Sequence, residues 1–475
     1  MRVFENHVQK VKNEVYTEVA KLAFSDELED KKADISKVID PGPNPRFRCC
    51  IYHERAVTNE RVKSSISGIN ESSNIIDILD SACDGCQVNR YAVSDLCRGC
   101  ISHRCQQSCP VGAISIVNNK ALIDSEKCIE CGRCKAACPY DAIADILRPC
   151  MRVCPTGAIT VTANNQAQID EKKCIQCGAC VYICPFGAAQ DKSQIVQVIE
   201  QLKKPDTPVI AMVAPALADS FGYTEVGKVV SAIKSIGFKD VVEVALGADM
   251  IIQHETREFL EVLKEDGVMT SSCCPAFVSY INKKYPELSK YISKSVSPMI
   301  ASALLIKSVE PNSKVVFFGP CVAKKEEMKG SCVDYVLTFE ELSGMIDLDK
   351  IDDFEPSPLD NASYFGRRFA ATGGVAGAIQ NELKDRDDIS PFQVIVCDGF
   401  AEIDKTLRLL KAGKIKRAFI EGMACKGGCV KGPVSIHYGK TNKKALEKYC
   451  SQATEESPDT AVRIISTAEI PLDRQ

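Results

Sequence analysis

The chain has 475 residues, 45% of them apolar, and a formal net charge of −4 at pH 7. That length and composition suit two or three domains with substantial cores and exclude a disordered chain. Charges of both signs are interspersed, so no nucleic-acid partner is expected.

Residues 1–14 are polar and charged, unlike a secretory signal, and the longest strongly apolar run, 209–218, is too short to cross a bilayer. A cytoplasmic protein with no membrane partner is expected. In that reducing compartment 26 cysteines point to metal thiolates rather than disulfides. Eighteen of them fall between Cys49 and Cys184 and eight after, which implies two regions with different work.

Residues 1–80 are read as an N-terminal helical and irregular segment. The spacing of Val8, Val11, Val15, Val19, Leu22 and Ala23 predicts one amphipathic helix over 6–29, ended by a stiff turn at Pro41, Pro43 and Pro45. Cys49 and Cys50, beside Ile51 and Tyr52, read as buried cysteines outside any cluster.

Residues 81–192 change character. Cys128-x2-Cys131-x2-Cys134-x3-Cys138-Pro139 and Cys174-x2-Cys177-x2-Cys180-x3-Cys184-Pro185 have the spacing of bacterial ferredoxins. Three thiolates then sit on one tight loop around a cubane while the fourth reaches a neighbouring cluster. Structural zinc more often uses two separated pairs.

The region also repeats itself at an offset of 45 to 46 residues. Cys105-x3-Cys109-Pro110 recurs as Cys150-x3-Cys154-Pro155, and the stretch from Asn118 to Asp124 recurs from Asn164 to Asp170. Each copy reads as a two-cluster ferredoxin-like α+β module. Ligand arithmetic gives Cys97, Cys100, Cys105 and Cys138 to one 4Fe-4S cluster, and Cys109, Cys128, Cys131 and Cys134 to a second. Cys154, Cys174, Cys177 and Cys180 take a third. Cys150 and Cys184 lack two partners, because Ala142 and Asp145 stand where Cys97 and Cys100 stand in the first copy; Cys83 and Cys86, upstream, are the pair expected to complete a fourth. Three to four accessory clusters in a row make an electron wire.

After a linker at 204–208, residues 205–475 alternate short β runs (209–213, 241–244, 315–318, 394–396, 418–420) with helical spacing (226–236, 250–263). This predicts an α/β fold of parallel or mixed sheets flanked by helices, with functional groups beyond the strand ends. Three cysteine stretches fall there: Ser271-Ser272-Cys273-Cys274-Pro275-Ala276-Phe277, Pro320-Cys321-Val322-Ala323-Lys324-Lys325, and Glu421-Gly422-Met423-Ala424-Cys425-Lys426-Gly427-Gly428-Cys429. Cys274, Cys321, Cys425 and Cys429 could hold one more cubane. Cys332, Cys397 and Cys450 are isolated and read as packing or surface residues.

These stretches resemble the signature loops of the iron-only (FeFe) hydrogenases: Thr-Ser-Cys-Cys-Pro-Gly-Trp, Met-Pro-Cys-x-x-Lys-x-x-Glu and Glu-x-Met-x-Cys-x-x-x-Cys. The resemblance covers about residues 205–440. It implies an H-cluster between two lobes: a cubane joined through a cysteine sulfur to a diiron unit carrying CO, cyanide and a dithiolate. By position, Cys274, Cys321, Cys425 and Cys429 would ligate the cubane and Cys429 would bridge. Lys324 would hydrogen-bond a cyanide, Met423 would pack beside the diiron unit, and Ala214-Pro215-Ala216 would line its pocket. Cys273 would stay free and carry protons with Glu255, Ser293 and Glu258, its thiol titrating within reach of neutrality. The implied activity is reversible reduction of protons to hydrogen, with ferredoxin or a similar low-potential carrier and hydrogenase maturation proteins as partners.

The chain departs from the family's main pattern at Gly319 (Met), Ala276-Phe277 (Gly-Trp), Met299 (Gln), Val262 (the relay's outermost Arg) and Lys431-Gly432-Pro433 (a glycine-rich tail). This reads as a divergent subgroup. Two alternatives are a hydrogen or redox sensor with little turnover, and a non-catalytic iron–sulfur electron-transfer or assembly protein.

Overall fold

The computed structural model describes residues 4–70, 74–86, 90–384, 386, 389–436, 443–463 and 470–474. Two parallel sheets carry the second half of the chain. The first has the strand order Asp240–Glu243, Val209–Val213, Lys314–Gly319, Tyr335–Thr338; the second has Val268–Thr270, Ala418–Met423, Gln393–Asp398. Val209–Val213 and Ala418–Met423 are buried along their whole length, as central parallel strands covered on both faces must be. Val268–Thr270 and Tyr335–Thr338 escaped sequence reading because runs of three and four residues show no period. Val244, expected as the end of a strand, instead opens the helix Val244–Lys264, six residues earlier than its spacing suggests.

The N-terminal helix is His7–Phe24, capped by Asn6, whose side chain accepts the Gln9 N–H. It stops short of the expected 29 because Ser25 closes the last turn and Asp26 takes a left-handed φ of 61°. Val15, Tyr16 and Val19 join one core with the first sheet and with the helices Ile51–Ile66 and Ile195–Leu202. The helix meets Phe339–Met345 so closely that a Cβ on Gly344 would lie 2.4 Å from that of Tyr16.

Along this contact charges are buried in pairs. Lys12 meets Glu340 at 2.9 Å. Lys325, fully buried, holds Asp191 at 2.7 Å and Glu341 at 2.9 Å. Burial alone would lower the Lys325 pKa, but the two carboxylates outweigh it and the net direction is up. Burial likewise opposes ionisation of Asp191, and Lys325 and Lys12 more than offset it.

The iron–sulfur region is nested. The first module pairs Tyr91–Val93 with Ile143–Asp145 and carries the hairpin Ile114–Val117/Lys120–Ile123. The second carries the hairpin Ile159–Val161/Ala167–Ile169, but its outer pair is Ile76–Ile78 with Ala189–Asp191. Its first strand therefore precedes the entire first module, and Cys83 and Cys86 lie just beyond that strand. Among the described residues no helix is long and apolar enough to cross a membrane.

Replacing Lys325 by Ala leaves two buried carboxylates uncompensated, which costs about 3–5 kcal/mol. Guanidinium unfolding followed by circular dichroism should show the midpoint falling; an unchanged midpoint would show that the pairs contribute nothing.

Candidate functional site

Each cysteine stretch begins where a parallel strand ends. Val268–Thr270 leads to Cys273 and Cys274, Lys314–Gly319 to Cys321, and Ala418–Met423 to Cys425. This is where parallel α/β sheets present their functional groups. The three loops close on a cavity of about 90 Å³ lined by Cys273, Cys274, Cys321, Cys425 and Cys429 together with Lys324, Met299 and Met423. Lys324 is its one charged lining residue. The Lys324 ammonium donates to the Cys273 carbonyl at 3.2 Å and to Glu327 at 2.5 Å. Burial pushes the Cys321 thiol up to about 11 and that of Cys429 to about 12. As free thiols they would be protonated, so only a cation would make them thiolates.

Pro215 lines the cavity; Ala216, expected beside it, is buried outside it, as the cap of the short helix Leu217–Ser220. At Gly319 a Cβ would lie 2.5 Å from the ring of Phe317, which itself faces the cavity. Phe317 thus takes up apolar volume on the side where Gly319 gives it up. Phe277 lies against Gly422, whose Cβ would meet its ring at 2.4 Å. Glu421 sits beneath the third loop and accepts the N–H groups of Gly373 and Ala376, both at 2.7 Å, tying the strand to the start of the helix Gly374–Leu383. Burial raises its pKa to about 7.

Glu255 and Glu258 share the helix Val244–Lys264. Glu255 is fully buried and accepts from the Ser272 N–H at 3.3 Å; its Oε2 has no partner among the described residues. Ser293 donates to Glu258 at 2.7 Å, and Glu258 is half-buried. The four residues expected to form a relay are therefore brought together, from the cavity wall at Cys273 outward to Glu258. Burial lifts the Glu255 carboxyl to about 7, so it can hold or release a proton near neutrality. The Cys273 thiol differs from expectation: burial, followed by the charge of Glu255, pushes it well up, so it is a proton donor and not a resident thiolate.

Sequence reading missed the C-terminal strap. Val296 N–H donates to the Leu472 carbonyl, Arg474 N–H to that of Lys294, and the Arg474 guanidinium to the carbonyls of Ser295 and Ser272. Arg474 thereby holds the peptide that precedes Cys273. His254, bonded to the Ser295 hydroxyl at 2.9 Å, lies 3.6 Å from Asp473. No local signal marks these residues; their partners are far away in the sequence.

The accessory cysteines fall into spatial sets. Cys97, Cys100, Cys105 and Cys138 surround one cavity, and Cys109, Cys128, Cys131 and Cys134 surround another. Cys150 lies within electrostatic reach of Cys184, Cys86 and Cys83, and Cys180 of Cys177, Cys174 and Cys154. Cys177 is in turn within reach of Cys321 and Cys425. Gly178, at φ +77°, permits this approach, since a Cβ there would lie 2.7 Å from Val322 and 2.8 Å from Pro433. Cys397 and Cys450 are buried packing residues and Cys332 is half-buried. Cys49 and Cys50 are not buried, as their apolar neighbours suggested, but exposed: Tyr52 also faces solvent, and Cys50 caps the helix Ile51–Ile66.

Fold and cysteine sets define an iron–sulfur protein of the 4Fe-4S type, with an apolar, thiol-lined cavity beside the last of those sets. Residues 207–433 match the model of the iron only hydrogenase large subunit, C-terminal domain; residues 90–139 match a 4Fe-4S dicluster domain, and 143–195 the LdpA Fe-S cluster-binding domain. The chain is 30% identical to iron hydrogenase 1 of Clostridium pasteurianum over 454 residues, covering 82% of this chain and 77% of that one. It is 26% identical to the cytosolic Fe-S cluster assembly factor narfl of Danio rerio over 290 residues, 48% of this chain and 71% of that one. A variant of the apo FeFe-hydrogenase HydA1 from Chlamydomonas reinhardtii aligns over 58% of this chain and 95% of its own, with 21% identity and a TM-score of 0.47. The chain belongs to the iron-only (FeFe) hydrogenase family.

A Glu255 pKa raised from the ordinary 4.5 to about 7 has a signed consequence. The folded state binds the extra proton between these values, so this group's contribution to stability falls as pH rises through that window. Glu255→Gln should remove that slope from unfolding measured across pH. It should also remove one part of the carboxyl infrared absorption that disappears as pH rises through about 7, the part due to Glu421 remaining. An undiminished absorption in the variant would assign all of it elsewhere.

Proposed function

We propose that this protein catalyses reversible reduction of protons to molecular hydrogen at an H-cluster that Cys274, Cys321, Cys425 and Cys429 would hold. The observation that carries this reading is the joining, at one cavity, of four ligand-type thiols, a free fifth cysteine and a buried acid that leads to a half-exposed one. The residues present fit such a group. The lining is apolar, which keeps water out, and the Lys324 ammonium complements anionic ligands. When bound, the H-cluster would supply the low-potential iron at which protons and electrons combine.

The protein's own residues supply the rest. Cys273 holds a proton at the cavity wall and Glu255 holds one behind it; Ser293 and Glu258 pass protons to and from solvent. Glu327 fixes the Lys324 ammonium, and Met299, Phe317 and Met423 fill the pocket. Sixteen cysteines, in the four sets described, hold four accessory 4Fe-4S clusters, and the set nearest the cavity is Cys154, Cys174, Cys177 and Cys180. Electrons come from ferredoxin or a similar low-potential carrier, and maturation proteins deliver the diiron unit in the cytoplasm. The kinship with assembly factors supports a second, non-catalytic reading. The gathering of Cys273, Glu255, Ser293 and Glu258 in one region favours the enzyme, since a purely structural iron–sulfur protein has no need to move protons.

Infrared spectra of anaerobically matured protein should show CO and cyanide bands; their absence after diiron reconstitution would end the hydrogenase reading. Cys273→Ala should keep those bands and lower turnover by roughly 10²-fold or more, the usual size of a lost proton-transfer group. A variant as active as the wild type would take Cys273 out of the relay. Double replacement of Cys83 and Cys86 by Ala should lower bound iron by about four atoms, one cubane's content. Unchanged iron content would break the fourth set.

A further inference from the structure

Outside the catalytic site and the accessory sets, one group of reactive side chains stands on the surface with no assigned role. Cys49 and Cys50 are both exposed, and their sulfurs are 3.9 Å apart. Cys50 is the cap of the 16-residue helix Ile51–Ile66, where its sulfur accepts the His53 N–H at 3.4 Å. The His53 ring turns back over the pair, with Nδ1 3.3 Å from the Cys49 sulfur. Its Nε2 lies 2.8 Å from the Ser81 carbonyl and 3.3 Å from the Asp84 carboxylate.

These contacts fix the tautomer. A carbonyl oxygen can only accept, so Nε2 carries the hydrogen and Nδ1 presents its lone pair to the Cys49 thiol. Asp84 beside Nε2 stabilises the imidazolium that forms when Nδ1 takes a proton. The order Asp84, His53, Cys49 is thus a base-activated thiol, and Cys50 is a second thiol served by helix-terminal N–H donation. That donation holds the Cys50 thiol below its ordinary value; with its one hydrogen toward Cys50 the Cys49 thiol is held above, and turned to His53 Nδ1, 3.3 Å away, that same hydrogen is the one the base takes.

We propose that Cys49 and Cys50 form a thiol–disulfide exchange site whose substrates are small disulfides, with His53 as the base. The Cys50 thiolate attacks one sulfur of the disulfide, forming a mixed disulfide and releasing one thiolate. The Cys49 thiol gives its proton to His53 Nδ1 and attacks the Cys50 sulfur, releasing the second thiolate. The two cysteines are oxidised to a Cys49–Cys50 disulfide; the second thiolate leaves with the His53 proton, and the first takes from water the proton that Cys50 gave up on ionising, so the substrate is reduced to two thiols. Neighbouring Cα atoms are about 3.8 Å apart, below the span of relaxed disulfides, so the bond is strained and readily reduced again. It suits a reversible site rather than a structural staple. The proposal is independent of the hydrogenase reading, because its test follows thiols and not hydrogen.

The probe is oxidised glutathione, applied anaerobically to the full-length protein with its clusters. Trypsin cuts after Arg48 and Arg55 and releases both cysteines on one seven-residue peptide. In the wild type this peptide should carry an internal disulfide. Cys49→Ser should stop at glutathione attached to Cys50. Cys50→Ser should react roughly tenfold more slowly, for want of the activated thiolate. His53→Gln should accumulate the mixed disulfide. The site is overturned if both wild-type thiols still take up an alkylating agent after treatment, or if Cys50→Ser is modified as fast as the wild type.

Discussion

A buried ammonium at Lys325 holds the two halves of this protein together. Removing such a charge from water costs several kcal/mol, and only close partners offset it. Here the partners come from two directions: Asp191 ends the last strand of the iron–sulfur region, and Glu341 opens a helix on the first sheet. Lys325 itself lies four residues after Cys321. The same pairs that seat the iron–sulfur region on the α/β half therefore seat one of the loops around the cavity. Lys12 and Glu340 extend the arrangement to the N-terminal helix.

That anchoring explains a tolerance for close backbone approach elsewhere. Gly178 meets Val322 and Pro433, and Gly344 meets the N-terminal helix, at distances no side chain would allow. Electron transfer through cubanes needs short gaps and a dry medium. For the proposed wire, glycine at the seam and apolar side chains around the thiols would meet both needs.

Much of this was legible in the sequence, because ligand spacing is local. Three or four cysteines within a dozen residues specify a cluster loop wherever the rest of the chain goes. The alternation of β runs with helical spacing likewise gave parallel sheets with the cysteine stretches beyond them. What could not be read was long-range. Lys325 looks like a second surface lysine until Asp191 and Glu341 arrive. Arg474 reaches Ser272 from the far end of the chain. Cys49 and Cys50 sit next to apolar residues yet face solvent, because the helix they open turns its other side to the core. The apolar stripe of the N-terminal helix announced burial but not that the helices Phe339–Met345, Ile51–Ile66 and Ile195–Leu202 would cover it.

The nested modules bear on the order in which the molecule assembles. All cysteines of the first module lie close together in the chain, so their loops can close and take up iron early. The set that includes Cys83 and Cys86 must wait for Cys150 and Cys184, with the whole first module folded between them, and pays a longer loop closure. Its outer strand pair, Ile76–Ile78 with Ala189–Asp191, closes the longest loop among the module strands and carries Asp191, the partner of Lys325. The contact that joins the iron–sulfur region to the α/β half thus depends on the strand pair that encloses the whole first module.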